Sequence, residues 1–165
     1  MLKKLLYSED TADWGLLVLR VGIGTAFMVH GYPKVFMGGA AGLAKGLAAA
    51  GIPGGIVAAY LAGMAEFFGG IALILGILNR PNTAVLAFTM LVALWFHVGN
   101  GDPFIKYSHA LESCVLFVAL LITGPGRFSL DRLFWGDKRD SKRIPSQMKV
   151  AKARHDQDYR IRKAA

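Results

Sequence analysis

Three ionisable side chains interrupt long apolar runs in this 165-residue sequence: Arg20, Glu66 and Glu112. If such runs lie in hydrocarbon, an unpaired charge at mid-depth costs about 2.5–3.5 kcal/mol or more. The three groups must then meet one another, a ligand or water. A guanidinium that holds an anionic or carbonyl oxygen, beside a carboxylate that accepts or relays a proton, is what a quinone head group needs. Its reduction takes two electrons and two protons, with donors aimed at the carbonyls. The same residues also read as a buried ion pair that fixes helix register, because buried pairs often serve specificity and not chemistry. The two readings are compatible.

Helical spacing gives each group a direction. Around Glu66 the same face carries Ala59, Gly63 and Gly70. A stripe of small residues lets helices approach closely, which turns Glu66 into the bundle. Arg20 shares a face with Gly24, Phe27, Gly31 and Lys34, and Glu112 with Ser108, Ala119 and Thr123. Cys114, two residues on, falls roughly opposite Glu112. The simplest arrangement is an interior polar line in which Arg20 pairs with Glu66 and Glu112 lies nearer the outer opening. His30 and Lys34 are further candidates for a substrate or proton site at that end. His30, His97 and His109 all fall near the outer ends of apolar segments, with Asp102 in the connection between the last two. Two histidines on separate helices suit a haem, and histidine with carboxylate suits a metal. No CxxCH or HExxH motif accompanies them, and an interfacial histidine ordinarily serves as a polar cap, so no resident metal is expected. A phosphate-binding P-loop, a dinucleotide fingerprint and a nucleophile elbow are all missing from the sequence.

These residues need elements to hold them, and the apolar runs supply four. The first covers about 14–35 and ends in His30, Tyr32 and Lys34; the second covers 56–78 with Glu66 as its one charge. The third covers 81–98, opening on Pro81 and Asn82, and the fourth about 108–123. Crossing a bilayer takes about 20 apolar residues in helical form. The first two runs fit; the last two are short and call for local thinning of the bilayer or polar groups reaching outward. Continuous apolar runs without period-two alternation favour helices over barrel strands.

Composition agrees. Hydrophobic residues make up 54% of the chain and charged residues 18%. Residues 14–126 hold only eight charges, whereas 127–165 hold 17 of the 30, with 12 Lys or Arg. The expected organisation is an all-α, membrane-embedded four-helix bundle over 14–126. It is preceded by a cytoplasmic N-terminus (1–13) and followed by an interfacial segment and basic tail (127–165). A soluble enzyme, a disulfide scaffold and a nucleic-acid-binding domain fit poorly, and the single Cys114 excludes a disulfide framework. The charged and polar stretch up to Asp13 is unlike a cleavable signal peptide. Four spans put 15 basic residues on one side and only Lys34, Lys45 and Lys106 on the other, which places both termini in the cytoplasm. Trp14 on one side, and Tyr32, Trp95, Phe104 and Tyr107 on the other, suit an aromatic belt. The connection 38–55 reads either as a short interfacial helix ended by Gly51-Ile52-Pro53 or as a flexible loop, since its glycines weaken a helix. In the tail, 138–165 carries ten Lys or Arg against three Asp, a net +7. It is expected to lie near anionic lipid or to dock a partner; nucleic acid is not expected as one.

With these residues in view, the chain resembles the DoxX family of small four-helix membrane proteins. The matching elements begin with Leu19-Arg20-Val21-Gly22 and His30-Gly31-Tyr32-Pro33-Lys34 on the first helix, followed by Ala50-Gly51-Ile52-Pro53. Glu66-Phe67-Phe68-Gly69-Gly70, Leu75-Gly76 and the exit Gly124-Pro125-Gly126-Arg127-Phe128-Ser129-Leu130-Asp131 complete the order. They cover residues 14 to about 134; the tail from Gly136 lies outside the pattern. The resemblance implies a bacterial inner-membrane protein tied to oxidoreductase systems, in contact with lipid and with a membrane or redox-complex partner. It implies a subunit of a quinone-linked complex, with quinone as the cofactor and none bound covalently, or else a non-catalytic accessory subunit that docks through its tail.

Overall fold

The computed structural model describes residues 9–136 and positions 154, 155, 157, 159 and 163. Apart from short connections the described residues are helical, with no strand among them. Helix α1 is Glu9–Phe36, α2 Gly39–Ala49, α3 Gly55–Leu75, α4 Asn79–Gly99, α5 Phe104–Thr123 and α6 Leu130–Trp135. Four of these, α1, α3, α4 and α5, are long and apolar enough to cross a membrane. The third and fourth spans are longer than the apolar runs alone suggested. Helix α4 takes in Asn79 and Arg80 ahead of Pro81, and α5 takes in Phe104, Ile105, Lys106 and Tyr107 after Pro103. Each is thus 20 residues or more, about 30 Å of rise, and needs no thinning of the bilayer.

Glycine makes the first contact. A Cβ on Gly24 would lie 2.7 Å from the Gly70 carbonyl oxygen, and one on Gly70 2.6 Å from the Met28 nitrogen. One turn pair further along, a Cβ on Gly31 would strike the Phe67 backbone, and one on Gly63 the Lys34 Cβ at 2.8 Å. The small-residue faces of α1 and α3 therefore meet as antiparallel neighbours, as their spacing predicts. A second pair forms as α4 packs along α5. Between the pairs lies an apolar core of Phe27, Leu73, Leu86, Met90, Phe117 and Leu120. Phe27 crosses from α1 to Phe117 on α5 edge to face, with ring centroids 4.7 Å apart. Rings, not backbones, fill the space between α1 and α5.

The connection after α1 forms the helix, not the loop. Gly51 adopts φ 71°, and Ile52 N–H donates to the Leu47 carbonyl (2.9 Å) while Gly51 N–H donates to that of Ala48 (3.1 Å). A left-handed glycine closes the helix and folds Ile52 back beside Leu47. Leu47, Ala40 and Ala59 form a second small core with Phe96 against it, so α2 is packed on α3 and α4. Outward faces of the spans are apolar, with Val18, Phe88 and Ile122 among the most exposed groups. Such surface suits lipid and not water.

The chain divides into two compact units, Met1–Leu133 and Phe134–Ala165. In the second, the described positions after 136 are helical. Most of the expected cytoplasmic N-terminus and of the basic tail lies outside the described residues.

Candidate functional site

Glu66 sits 4% exposed on the buried face of α3. Its partner is Lys34, whose Nζ donates to both carboxylate oxygens at 2.6 and 2.5 Å. Arg20, the partner expected from sequence, is elsewhere. Fully buried, its Nη2 donates to the Phe128 carbonyl after the fourth span. Depth along the paired helices explains the exchange, and side-chain direction reinforces it. The glycine contacts put Glu66 about level with Gly31, so Lys34 lies within one turn of it along α1 and Arg20 about three turns away. Helical side chains lean toward the N-terminus of their own helix. On α1 that lean carries Lys34 toward Glu66 and Arg20 away from it, and on antiparallel α3 it carries Glu66 toward Lys34. The interior line Arg20–Glu66–Glu112 is thereby corrected.

Glu112 departs from that line as well. The buried face of α5 is Ala110, Ser113, Cys114, Phe117 and Leu120, and Glu112 is exposed. The core takes the apolar stripe, and the Glu112 face, with Ala119 and Thr123, turns outward. Glu112 nonetheless stays one turn from His109 on α5. His109 stacks on His30 of α1 with ring centroids 5.0 Å apart and planes 21° off parallel, and Phe27 lies against it at 5.8 Å. Within electrostatic reach of His109 are His30, Glu112, Glu66 and Lys34. Four of the five substrate or proton candidates (His30, Lys34, Glu66 and Glu112) thus gather at the α1–α3–α5 corner near the end of α1, joined by His109.

The His30 Nδ1–H donates to the Ala26 carbonyl (3.1 Å), so the proton-exchanging nitrogen of the neutral ring is Nε2. Two stacked imidazoles, one buried carboxylate and one ammonium can donate to carbonyl oxygens and pass protons. They do not offer a haem two axial nitrogens aimed at one iron from opposite sides, because the rings lie face to face. His97 is engaged apart from them: its Nδ1–H donates to Asp102 (2.8 Å), and Lys106 donates to the other carboxylate oxygen (2.7 Å). These two donors, Lys106 first, hold the Asp102 carboxyl below the usual carboxylate range. Among the described residues no cluster of three or more His, Cys, Asp or Glu is placed to hold a metal ion.

Arg20 belongs to a latch at the opposite end of the bundle. Gly76 ends α3 with φ 68°, and its missing side chain leaves the space taken by the Arg20 guanidinium and by Ser129. Asp131 accepts from Leu78 N–H and Asn79 N–H, 2.7 Å each, capping α4, while its own N–H donates to the Gly76 carbonyl (2.9 Å). Asp13 of α1 accepts from Arg127 N–H at 2.9 Å. Sequence reasoning missed Asp13, Asn79 and Asp131. The signal for them was the exit run 124–131, whose polar residues follow directly on a span and had no assigned partner.

Comparison with known proteins bears on the whole of this arrangement. The DoxX family model matches residues 15–99, which include Arg20, His30, Lys34 and Glu66. Inner membrane protein YqjF of Escherichia coli (strain K12) is 35% identical over 124 residues, 73% of this chain and 92% of that protein. Inner membrane protein YphA of the same organism is 32% identical over 125 residues, 71% of this chain and 88% of that protein. No solved structure matches.

Proposed function

This chain belongs to the DoxX family of multi-pass membrane proteins, and from that premise we propose that it is a subunit of a quinone-linked redox complex in the bacterial inner membrane. The observation that supports this reading most is the Lys34–Glu66 pair beside the stacked His30 and His109, at a corner where His30 and Glu112 are exposed. A quinone head group, when bound, supplies the two-electron acceptor; its electrons come from a partner subunit. On this chain, Lys34 Nζ and an imidazole N–H donate to its carbonyl oxygens, and Glu66 holds the Lys34 ammonium in place. His109 and His30 take up protons from the outer side and hand them on, with Glu112 drawing protons to the rings. Phe27 and Phe117 close the inner side of the site against water. Arg20 has no part in this site and serves the latch. The basic residues gathered at the latch end favour both termini in the cytoplasm.

The test is quinone reduction by membranes expressing the full chain with its co-purifying partners. Glu66→Gln and His109→Ala are expected to lower the quinone-dependent rate by tenfold or more, with the assembly intact. Unchanged rates in both variants, with assembly lost only on removal of 138–165, favour the other reading: a non-catalytic accessory subunit docking through its tail.

A further inference from the structure

At the latch end, outside the site just described, lies a cleft of about 700 Å³ between the end of α3 and the segment that leads into α6. That volume falls in the range of about 300–1,000 Å³ typical of small-ligand sites. Its wall divides by chemistry: Ile74, Leu75 and Leu133 on one part, Arg127, Ser129 and Arg132 on the other. Directly behind the Phe128–Ser129 wall sits Arg20, fully buried, whose Nε and Nη1 have no hydrogen-bond partner. Its Nη1 lies against Gly76, which Ser129 also contacts. Three guanidiniums thus converge on one short stretch of chain at the end of the membrane-spanning helices, with Asp131 as the acid in electrostatic reach of Arg20.

An apolar wall continuous with a guanidinium wall, at the depth where spans end, matches a molecule with acyl chains and an anionic phosphate. We propose that this cleft binds the head group of an anionic phospholipid, its phosphate on Arg127 and Arg132 and its chains along Ile74 and Leu75. Guanidinium forks suit phosphate oxygens through paired N–H donors. The same phosphate adds negative charge beside the buried Arg20, together with Asp131. A site of this kind holds the Gly126–Asp131 segment against α3 and so stiffens the latch.

The experiment is lipid retention by the full-length purified protein in mild detergent, read by native mass spectrometry with phosphatidylglycerol and phosphatidylcholine as probes. Wild-type protein is expected to retain phosphatidylglycerol selectively. Arg127→Gln and Arg132→Gln should each weaken retention about fivefold, while Arg80→Gln, outside the cleft, leaves it unchanged. Equal retention by the Arg127→Gln/Arg132→Gln double variant overturns the proposal. Displacement by inorganic phosphate at the concentration of the lipid itself also overturns it, since the site is then one for a free anion. Should the double variant fail to fold, a phosphatidylglycerol with a photoreactive head group decides on wild-type protein. Cross-links at 127–133 are expected, and cross-links confined to other segments contradict the proposal.

Discussion

Lys34 and Glu66 are unequal partners. Glu66 is buried on α3, whereas the Lys34 side chain is 27% exposed and lies within a turn of the end of α1. Deprived of Glu66, the lysine stem swings outward and carries its charge to the interface. Deprived of Lys34, Glu66 has no comparable exit. Lys34→Met is therefore expected to cost about 3–5 kcal/mol, the scale for a buried pair broken on one side. Glu66→Gln should cost less, about 1–3 kcal/mol. Unfolding of both variants by denaturing detergent checks the order, and a larger loss for Glu66→Gln contradicts it. The Asp102 clamp between α4 and α5 has a pH dependence with a definite sign. Lys106 and His97 depress the folded-state carboxyl of Asp102. Its contribution is present above the unfolded carboxylate value of about 3.9 and is lost as pH falls through the lower folded value. Asp102→Asn should flatten the acid limb of a stability–pH curve; an identical curve in the variant rules the clamp out.

At the scale of helices, the glycines of α1 separate into two kinds. Gly31 faces the α3 backbone with no room for a methyl group, while Gly22 has nothing within 4 Å of where one would stand. Gly31→Ala should destabilise by about 1–3 kcal/mol through overpacking, and Gly22→Ala should be neutral or gain up to about 1 kcal/mol from helix propensity. Thermal unfolding in detergent measures both; similar effects at the two positions contradict the seam. Asp131 caps α4 from more than 50 residues away in sequence. Asp131→Ala is expected to cost about 1–2 kcal/mol and to raise hydrogen exchange at the first turn of α4. Unchanged exchange there contradicts the cap. The α1–α3 seam was legible because small side chains seven residues apart, Gly24 and Gly31 on one helix and Gly63 and Gly70 on the other, leave one face of each span open to close approach. The α2 helix was half legible: its glycines weakened the helix reading, and the cap built by Gly51 and Ile52 decided it. The lengths of α4 and α5 were hidden at their first turns, where Asn79 and Arg80 precede Pro81 and Lys106 interrupts Phe104, Ile105 and Tyr107, although these residues continue the helix.

For the molecule as a whole, the four-span plan followed from the four apolar runs, and the division into spans and basic tail from charge, because 17 of 30 charges lie beyond residue 126. Which buried ions meet was less legible. Three ionisable residues were visible, but their pairing depends on the depth of each on antiparallel helices and on the direction side chains lean. The register of α1 against α3, which sets Lys34 within a turn of Glu66 and Arg20 about three turns away, was the omitted step, and the lean of the side chains reinforces it. Glu112 was misplaced for a different reason. A face holding Ser108, Ala119 and Thr123 is small and polar enough to pass for an interior one, and only the packing of Phe117 and Leu120 turns it out. The result is a bundle with two polar ends of different character. One end is a latch of backbone caps tied by Arg20, Asp13 and Asp131. The other gathers His30, Lys34, Glu66 and His109 at one corner. The measurement that tests this division most directly is quinone-analogue binding to the purified full-length protein, with Glu66→Gln and Arg20→Lys compared with wild type at equal folded fraction. Binding weakened at least tenfold in Glu66→Gln and held within about twofold in Arg20→Lys is the predicted result. Wild-type affinity in Glu66→Gln, or loss confined to Arg20→Lys, would contradict the outer-corner site.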